Sequence, residues 1–189
     1  SPLKGEISIQ GSKNAVLPMM AAALLHRGTT VLMNVPDIRD VACMTDILEH
    51  LGCRCRRQGD CMAIDARQIE QTAIPDCFVC AMRSSIIVLG ALLGRMGEGG
   101  GCYPGGCLIG ARPFDLHLKV FRELGAQIEE KDGHLRVRRG AGGIRGAEIC
   151  LSYPSVGATE QAILASVLAE EVTEVHGAAK EPEIESLCD

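Results

Sequence analysis

The chain has 189 residues, of which 47% are hydrophobic and 23% charged, with a formal net charge of −5. That length suits one domain or slightly more, with a sizeable buried core, and the acidic balance excludes a nucleic-acid partner held on a broad basic surface. An anionic ligand would have to be held by a few local cations in a cleft.

Glu6–Ile9 alternates as a short strand. Gly11-Ser-Lys-Asn14 then turns into an Ala-rich helix from Ala15 to about His26, with Pro18 expected in its first turn and Gly28 ending it. Thr30–Val35 reads as a strand, followed by a Pro36-Asp37 turn. Asp40 is the expected N-cap of a second helix that buries Val41, Met44, Leu48 and Leu51 and stops at Gly52. Strands follow at Arg54–Gln58 and Cys61–Ile64 across a Gly59-Asp60 turn.

The pattern then recurs. An apolar helix over Met82–Met96 ends in Gly97, a glycine-dense stretch from Gly99 reads as a loop with a short strand, and a helix over Pro113–Leu124 stops at Gly125. Ala126–Glu130 and Leu135–Val137 form a hairpin across Asp132-Gly133. Arg39 to Gly52 and Arg112 to Gly125 share the same thirteen-residue separation. A third copy has strand Ile149–Leu151, a helix from about Thr159 to Glu170, strand Glu174–His176, and a final helix under way at Asp189. The unit is βαβαββ, present twice in full and once cut short. This is an α/β (or α+β) architecture, and three repeats with helices inside and sheets outside would bury the Ala/Leu-rich helices.

No apolar run reaches the length of a bilayer span, and Ser1–Gly5 lacks a signal-peptide core, so no membrane partner and a cytoplasmic location are expected. The ten cysteines then read as reduced thiols. Cys77-Phe-Val-Cys80 is a lone C-x-x-C without a second pair at zinc-ribbon spacing, and reads as packing rather than a metal or redox site.

Five segments carry a resemblance: Gly11-Ser-Lys-Asn-Ala15, Met82-Arg-Ser-Ser85, Pro104-Gly-Gly-Cys-Leu-Ile-Gly-Ala-Arg-Pro-Phe-Asp-Leu-His117, Pro154-Ser-Val-Gly-Ala-Thr159 and Lys180-Glu-Pro-Glu-Ile184. In this order they closely resemble the enolpyruvyl-UDP-GlcNAc synthase (UDP-N-acetylglucosamine 1-carboxyvinyltransferase) family. The resemblance implies an inside-out α/β barrel domain over residues 11–189, truncated in its third repeat. It also implies that residues 1–10 cross from a second domain that this chain lacks. The implied reaction, a committed step of peptidoglycan synthesis, moves enolpyruvyl from phosphoenolpyruvate to the 3′-hydroxyl of UDP-N-acetylglucosamine and releases phosphate. It uses no metal or organic cofactor. The second domain would supply the base for the sugar hydroxyl, so the 189-residue chain is expected to be inactive alone, with the face toward that domain available for self-association. A related 3-phosphoshikimate enolpyruvyltransferase and a non-catalytic nucleotide-sugar-binding fragment are the alternatives.

The same resemblance assigns residues. Lys13 and Asn14 would hold phosphoenolpyruvate at a helix N-terminus, although residues alone allow a solvated lysine beside an ordinary N-cap. Arg83, at the head of an apolar helix, needs a partner or a cleft, and the resemblance places it in the anionic substrate site. Arg112 would contact both substrates, with Pro113, Phe114, Asp115 and Leu116 lining the uridine. Asp115 equally serves as an early-turn acid of its helix. Cys107 would be the general acid at the methylene and the point of adduct formation and fosfomycin attack. Composition alone reads it as a buried apolar cysteine like Cys43, Cys61 and Cys150, with Cys102 as local competitor. Tyr153, Pro154, Ser155, Val156 and Gly157 would form the diphosphate side, Ser155 doubling as a helix cap. In some relatives a lysine stands at the place of Tyr153. His117 reads as an ordinary surface or core residue.

Overall fold

The computed structural model describes residues 4–7, 9–103 and 114–189. Its elements follow the repeat. The first comprises α1 (Lys13–Ala22, continued by a 3₁₀ turn Ala23–Leu25), β1 (Thr29–Leu32), α2 (Arg39–His50), β2 (Arg54–Gln58) and β3 (Cys61–Asp65). The second comprises α3 (Asp76–Ala81), a 3₁₀ helix Arg83–Ile87 running into α4 (Val88–Met96), β4 (Glu98–Cys102), α5 (Asp115–Glu123), β5 (Ala126–Lys131) and β6 (His134–Arg139). The third comprises β7 (Glu148–Cys150), α6 (Val156–Ser166), β8 (Glu174–His176) and α7 (Pro182–Cys188).

Helices occupy the centre. Residues 88–93 are buried without exception, as are Val16, Leu17, Met20 and Ala21 of α1 and Ala158, Ala162, Leu164 and Ala165 of α6. A helix that is apolar all round has nowhere else to go. In contrast, α2 and α5 bury one stripe each, through Val41, Met44, Ile47 and Leu48, and through Leu116, Leu118, Val120 and Phe121. Sheets lie outside in the orders β1-β3-β2, β4-β6-β5 and β7-β8; the first two are antiparallel and the third parallel. The β5–β6 hairpin turns on Asp132 and Gly133, both at positive φ (50° and 77°), the pairing a two-residue turn requires.

Several sequence expectations change. Residues 4–7, 9 and 10 carry no strand. Helix α1 begins at Lys13, so Pro18 lies in its second turn and removes the bond that would reach the Asn14 carbonyl. The N-cap of α2 is Ile38, and Asp40 sits inside its first turn. Met82–Met96 is interrupted, since Met82 is extended and a 3₁₀ segment precedes α4. Helix α6 runs three residues earlier than expected at its start and ends at Ser166. Residues 99–101 are not loop. They form β4, because a Cβ on Gly99 would lie only 3.2 Å from the Leu92 Cβ, and one on Gly101 3.4 Å from the Ile74 carbonyl. Glycine here lets a strand lie flush on a helix. Cys77, Cys80 and Cys150 are exposed, and Cys43 and Cys61 half-buried, whereas Cys53 and Cys102 are buried. The C-x-x-C is thus not core packing.

The central helices run parallel. A Cβ on Gly90 would lie 3.1 Å from the Gln161 carbonyl, and one on Gly94 2.9 Å from the Leu164 carbonyl. Contacts therefore climb both helices in the same direction. Leu25 packs against Gly94, and Arg95 donates to the carbonyls of Leu24 and His26, so α1 and α4 also end together.

Gly94→Ala should destabilise the chain by about 1–3 kcal/mol, since the new methyl meets backbone that a packed core cannot move cheaply; denaturant unfolding measures it. Glu160, buried in α6 near Glu183, has its carboxyl pushed up to about 8, first by burial and then by Glu183. A raised carboxyl pKa means the folded state holds a proton that the unfolded chain releases near 4.5. Stability should therefore fall as pH rises from about 4.5 to 8, by at most about 1.4 kcal/mol per unit. Thermal melts of Glu160→Gln should lose that slope and gain stability at pH 8.

Candidate functional site

Parallel packing puts the starts of the central helices at one end. Lys13 opens α1, Arg83 opens the 3₁₀ helix leading into α4, and Ser155 caps α6 by accepting from the Ala158 amide at 3.4 Å. The outer helices begin at the same end. Lys13 Nζ lies 3.1 Å from an Asp40 carboxylate oxygen in the first turn of α2. Thr159 Oγ1 accepts from the Ala179 amide at 3.0 Å, just ahead of α7. His117 in α5 stands against Gly157, where a Cβ would come within 3.0 Å of its Cε1. Each helix start contributes unpaired N–H groups and the positive end of its dipole. Together they gather the positive ends of several helix dipoles at one end of an acidic chain.

The sequence-predicted residues divide accordingly. Lys13 and Asn14 start α1, a helix that packs against the 3₁₀ segment carrying Arg83. Phe114, 8% exposed, precedes α5 and stacks on His117 with centroids 4.6 Å apart and planes at 14°. Asp115 is exposed in the first turn of α5, and Leu116 is buried. Tyr153 and Pro154 are exposed, and Ser155, Val156 and Gly157 half-buried, at the start of α6. Arg83, Phe114, His117 and Gly157 thus form one neighbourhood. Cys107, Arg112 and Pro113 lie outside the described residues.

His117 is the residue that sequence reasoning passed over. It joins the Phe114–Leu116 limb to the Ser155–Gly157 limb. Burial, and then the nearby positive charge of Arg83, push its imidazole down to about 4. Among the described residues its Nδ1 is buried without a hydrogen-bond partner, as are Ser85 Oγ and Gln161 Oε1 in the neighbouring helices. Buried orphan atoms are uncommon. The one signal in the sequence was its place three residues after Phe114, one helical turn on. Asp40 was the other omission: it holds the Lys13 ammonium in place, and was read only as a cap.

Open cavities of about 230 and 490 Å³ sit at the opposite end, lined among others by Arg54, Asp65, Arg67 and by Arg27, Arg67, Arg95. Arg67 pairs there with Asp65, holding that carboxyl near 2, and Arg95 donates to the Leu24 carbonyl. Among the described residues no helix is long and apolar enough to cross a membrane, and no His/Cys/Asp/Glu group is arranged to hold a metal ion.

Because the folded His117 pKa lies below that of a free imidazole, its contribution to stability is complete above about 6.5 and lost as pH falls toward 4. An NMR titration should show its ring neutral at pH 6 with a midpoint near 4; a midpoint near 6.5 would mean that the ring is not enclosed as described.

Comparison with known proteins is consistent with this geometry. The chain is 46% identical over 185 residues to UDP-N-acetylglucosamine 1-carboxyvinyltransferase 2 of Caldanaerobacter subterraneus subsp. tengcongensis, covering 98% of this chain and 44% of the relative. It is 42% identical over 186 residues to UDP-N-acetylglucosamine 1-carboxyvinyltransferase of Lawsonia intracellularis, with the same coverage. The chain therefore spans under half the length of the curated relatives it matches. Among solved structures, the enolpyruvyl transferase NikO of Streptomyces tendae superposes with a TM-score of 0.81 at 20% identity, over 98% of this chain and 43% of that one. EPSP synthase of Acinetobacter baumannii superposes with a TM-score of 0.71 at 17% identity, over 96% and 42%. These two share the fold. Residues 1–189, the whole chain, match the EPSP synthase (3-phosphoshikimate 1-carboxyvinyltransferase) family, and the chain belongs to it.

Proposed function

We propose that this chain forms one substrate-binding domain of an enzyme that transfers enolpyruvyl from phosphoenolpyruvate to the 3′-hydroxyl of UDP-N-acetylglucosamine, releasing phosphate. The observation that carries the reading is the convergence of helix N-termini on Lys13 and Arg83 at one end. Both substrates are anions, and unpaired N–H groups with fixed cations bind phosphate and carboxylate without reorganising. Identity above 40% to relatives bearing that enzyme's name supports the choice of nucleotide sugar over shikimate 3-phosphate.

In this reading Lys13 and Asn14 hold phosphoenolpyruvate. Arg83 and Arg112 bridge the two substrates through the planar fork of donors that suits phosphate and carboxylate. Pro113, Phe114, Asp115 and Leu116 line the uridine, Asp115 accepting from a base N–H. The Ser155–Gly157 backbone faces the diphosphate, with Tyr153 and Pro154 at its rim. Cys107 protonates the enol methylene, giving an electrophilic carbon that the sugar hydroxyl attacks; loss of phosphate and a proton then restores the enol.

The base for that hydroxyl is assigned to a second domain, and residues 1–10 to a segment that packs on it. Exposed Ile7, Ile9, Val31 and Met33 support an apolar face covered by other polypeptide, either that domain or a second copy. A cytoplasmic setting follows from cytosolic nucleotide-sugar substrates.

Isothermal titration should detect UDP-N-acetylglucosamine binding, and no comparable binding of shikimate 3-phosphate. Arg83→Ala should weaken the nucleotide sugar roughly 10- to 100-fold, the worth of a charge-assisted hydrogen bond or two. Equal affinity for both ligands, or an Arg83→Ala variant that binds normally, would overturn the reading. Phosphate release by the 189-residue chain alone should be negligible; steady turnover would contradict the assignment of the base to another domain.

A further inference from the structure

Outside the candidate site, the C-x-x-C of α3 meets a third thiol. Asp76 and Cys80 stand four residues apart on α3, hence on one helical face. Cys102 is the last residue of β4, and its thiol donates across 3.9 Å to the carbonyl of Asp76, one helical turn before Cys80, whose thiol is near enough to add to the upward push on the Cys102 pKa. The surrounding backbone is fixed. Gly100 exchanges hydrogen bonds with Thr72 and Ile74, the latter just ahead of α3. A Cβ on Gly101 would lie 3.6 Å from Val79 Cγ2. His134, directly opposite Cys102 in the β4–β6 register, reaches both Asp76 carboxylate oxygens at 3.2 Å. The α3 and β4 backbones that carry the two thiols are therefore fixed against each other by backbone hydrogen bonds, close packing and the His134–Asp76 contact.

Their exposures differ. Cys80 is open to solvent, and Cys102 is 9% exposed. No metal-holding group is formed around them among the described residues. We infer that Cys80 and Cys102 are a redox-modifiable pair that closes to an intramolecular disulfide when the protein meets a low-molecular-weight disulfide. Cys80, as thiolate, attacks one sulfur of the oxidant, breaking its S–S bond, and the departing thiolate takes up a proton. Cys102 gives up its proton and attacks the Cys80 sulfur, forming the Cys80–Cys102 bond and expelling the second small thiol. Two protein thiols are oxidised and one small disulfide is reduced to two thiols, so atoms and electrons balance. Burial, and then the Asp76 charge, push the Cys102 thiol up to about 11, so the exposed partner is the entry point and the buried one resolves.

The bond would tie the end of β4 to α3. Cys80 lies three residues before Arg83, and Cys102 five before Cys107. Disulfide formation is a property of the pair itself and stands apart from the proposed reaction.

The test treats the folded 189-residue chain with oxidised glutathione, blocks remaining thiols, digests with trypsin and sequences linked peptides by fragmentation. Cys77→Ser removes the ambiguity on one side, because Cys77 and Cys80 share a tryptic peptide, and fragment ions from cleavage between Cys102 and Cys107, which share another, resolve the other side. The expected product is a Cys80–Cys102 link with the mass of two hydrogens lost. Cys102→Ser should instead retain glutathione on Cys80, and Cys80→Ser should give neither product. Linkage of Cys80 to Cys107 or of Cys77 to Cys43 in place of the expected pair, or glutathione persisting on Cys80 in the chain that retains Cys102, would overturn the inference.

Discussion

The close parallel packing of α1, α4 and α6 is the constraint on which the domain depends. Helices can approach until backbone nearly touches backbone only where no Cβ intervenes, and Gly90 and Gly94 supply that along α4. Gln161 adds a hydrogen bond from its amide to the Ile86 carbonyl at 3.4 Å, tying the middle of α6 to the 3₁₀ segment that leads into α4. Sheets are then excluded from the centre and wrap the outside, with glycine again the means by which β4 lies against α4. Parallel helices share their ends. One end gathers helix N-termini, and the other gathers C-termini whose carbonyls Arg95 covers.

From that geometry follows a charge distribution that the sum over the sequence hides. A chain at −5 overall nonetheless has an end where dipoles and basic side chains add. Each terminus is worth about 0.3–1 kcal/mol toward an anion at the surface and more when partly buried, so several converging termini add to Lys13 and Arg83 even though Asp40 and Asp115 stand in first turns at the same end. Asp40 fixes the Lys13 ammonium in the meantime, an arrangement that keeps a cation oriented at modest cost because both groups remain partly solvated. His117 is enclosed as a neutral ring next to Arg83, so it adds no second positive charge there.

Much of this was legible before any coordinates. Repeating stop glycines after α2 and α5, the amphipathic stripe of α2, and the hairpin at Asp132-Gly133 were all encoded locally and appear where periodicity put them. The resemblance in five motifs gave the family. What escaped depended on tertiary context. Three successive glycines read as a loop because their function, close approach to α4, belongs to another element. Asp40 read as a cap because its partner, Lys13, lies 27 positions earlier in the chain. His117 carried no partner pattern because two of its neighbours, Arg83 and Gly157, come from other elements far off in the chain. The exposure of Cys77 and Cys80 escaped because a one-and-a-half-turn helix is too short for periodicity to fix its face.

The central claim is that anionic substrates bind where the helices begin. It is tested most directly by following backbone amide shifts while UDP-N-acetylglucosamine is titrated into the isotopically labelled chain. The account predicts saturable shifts at residues 13–15, 83–86, 114–117 and 155–158, with little change at Leu25, Arg95 or Ser166 at the far end. Saturable shifts clustered around Arg27, Arg67 and Arg95 instead would contradict it.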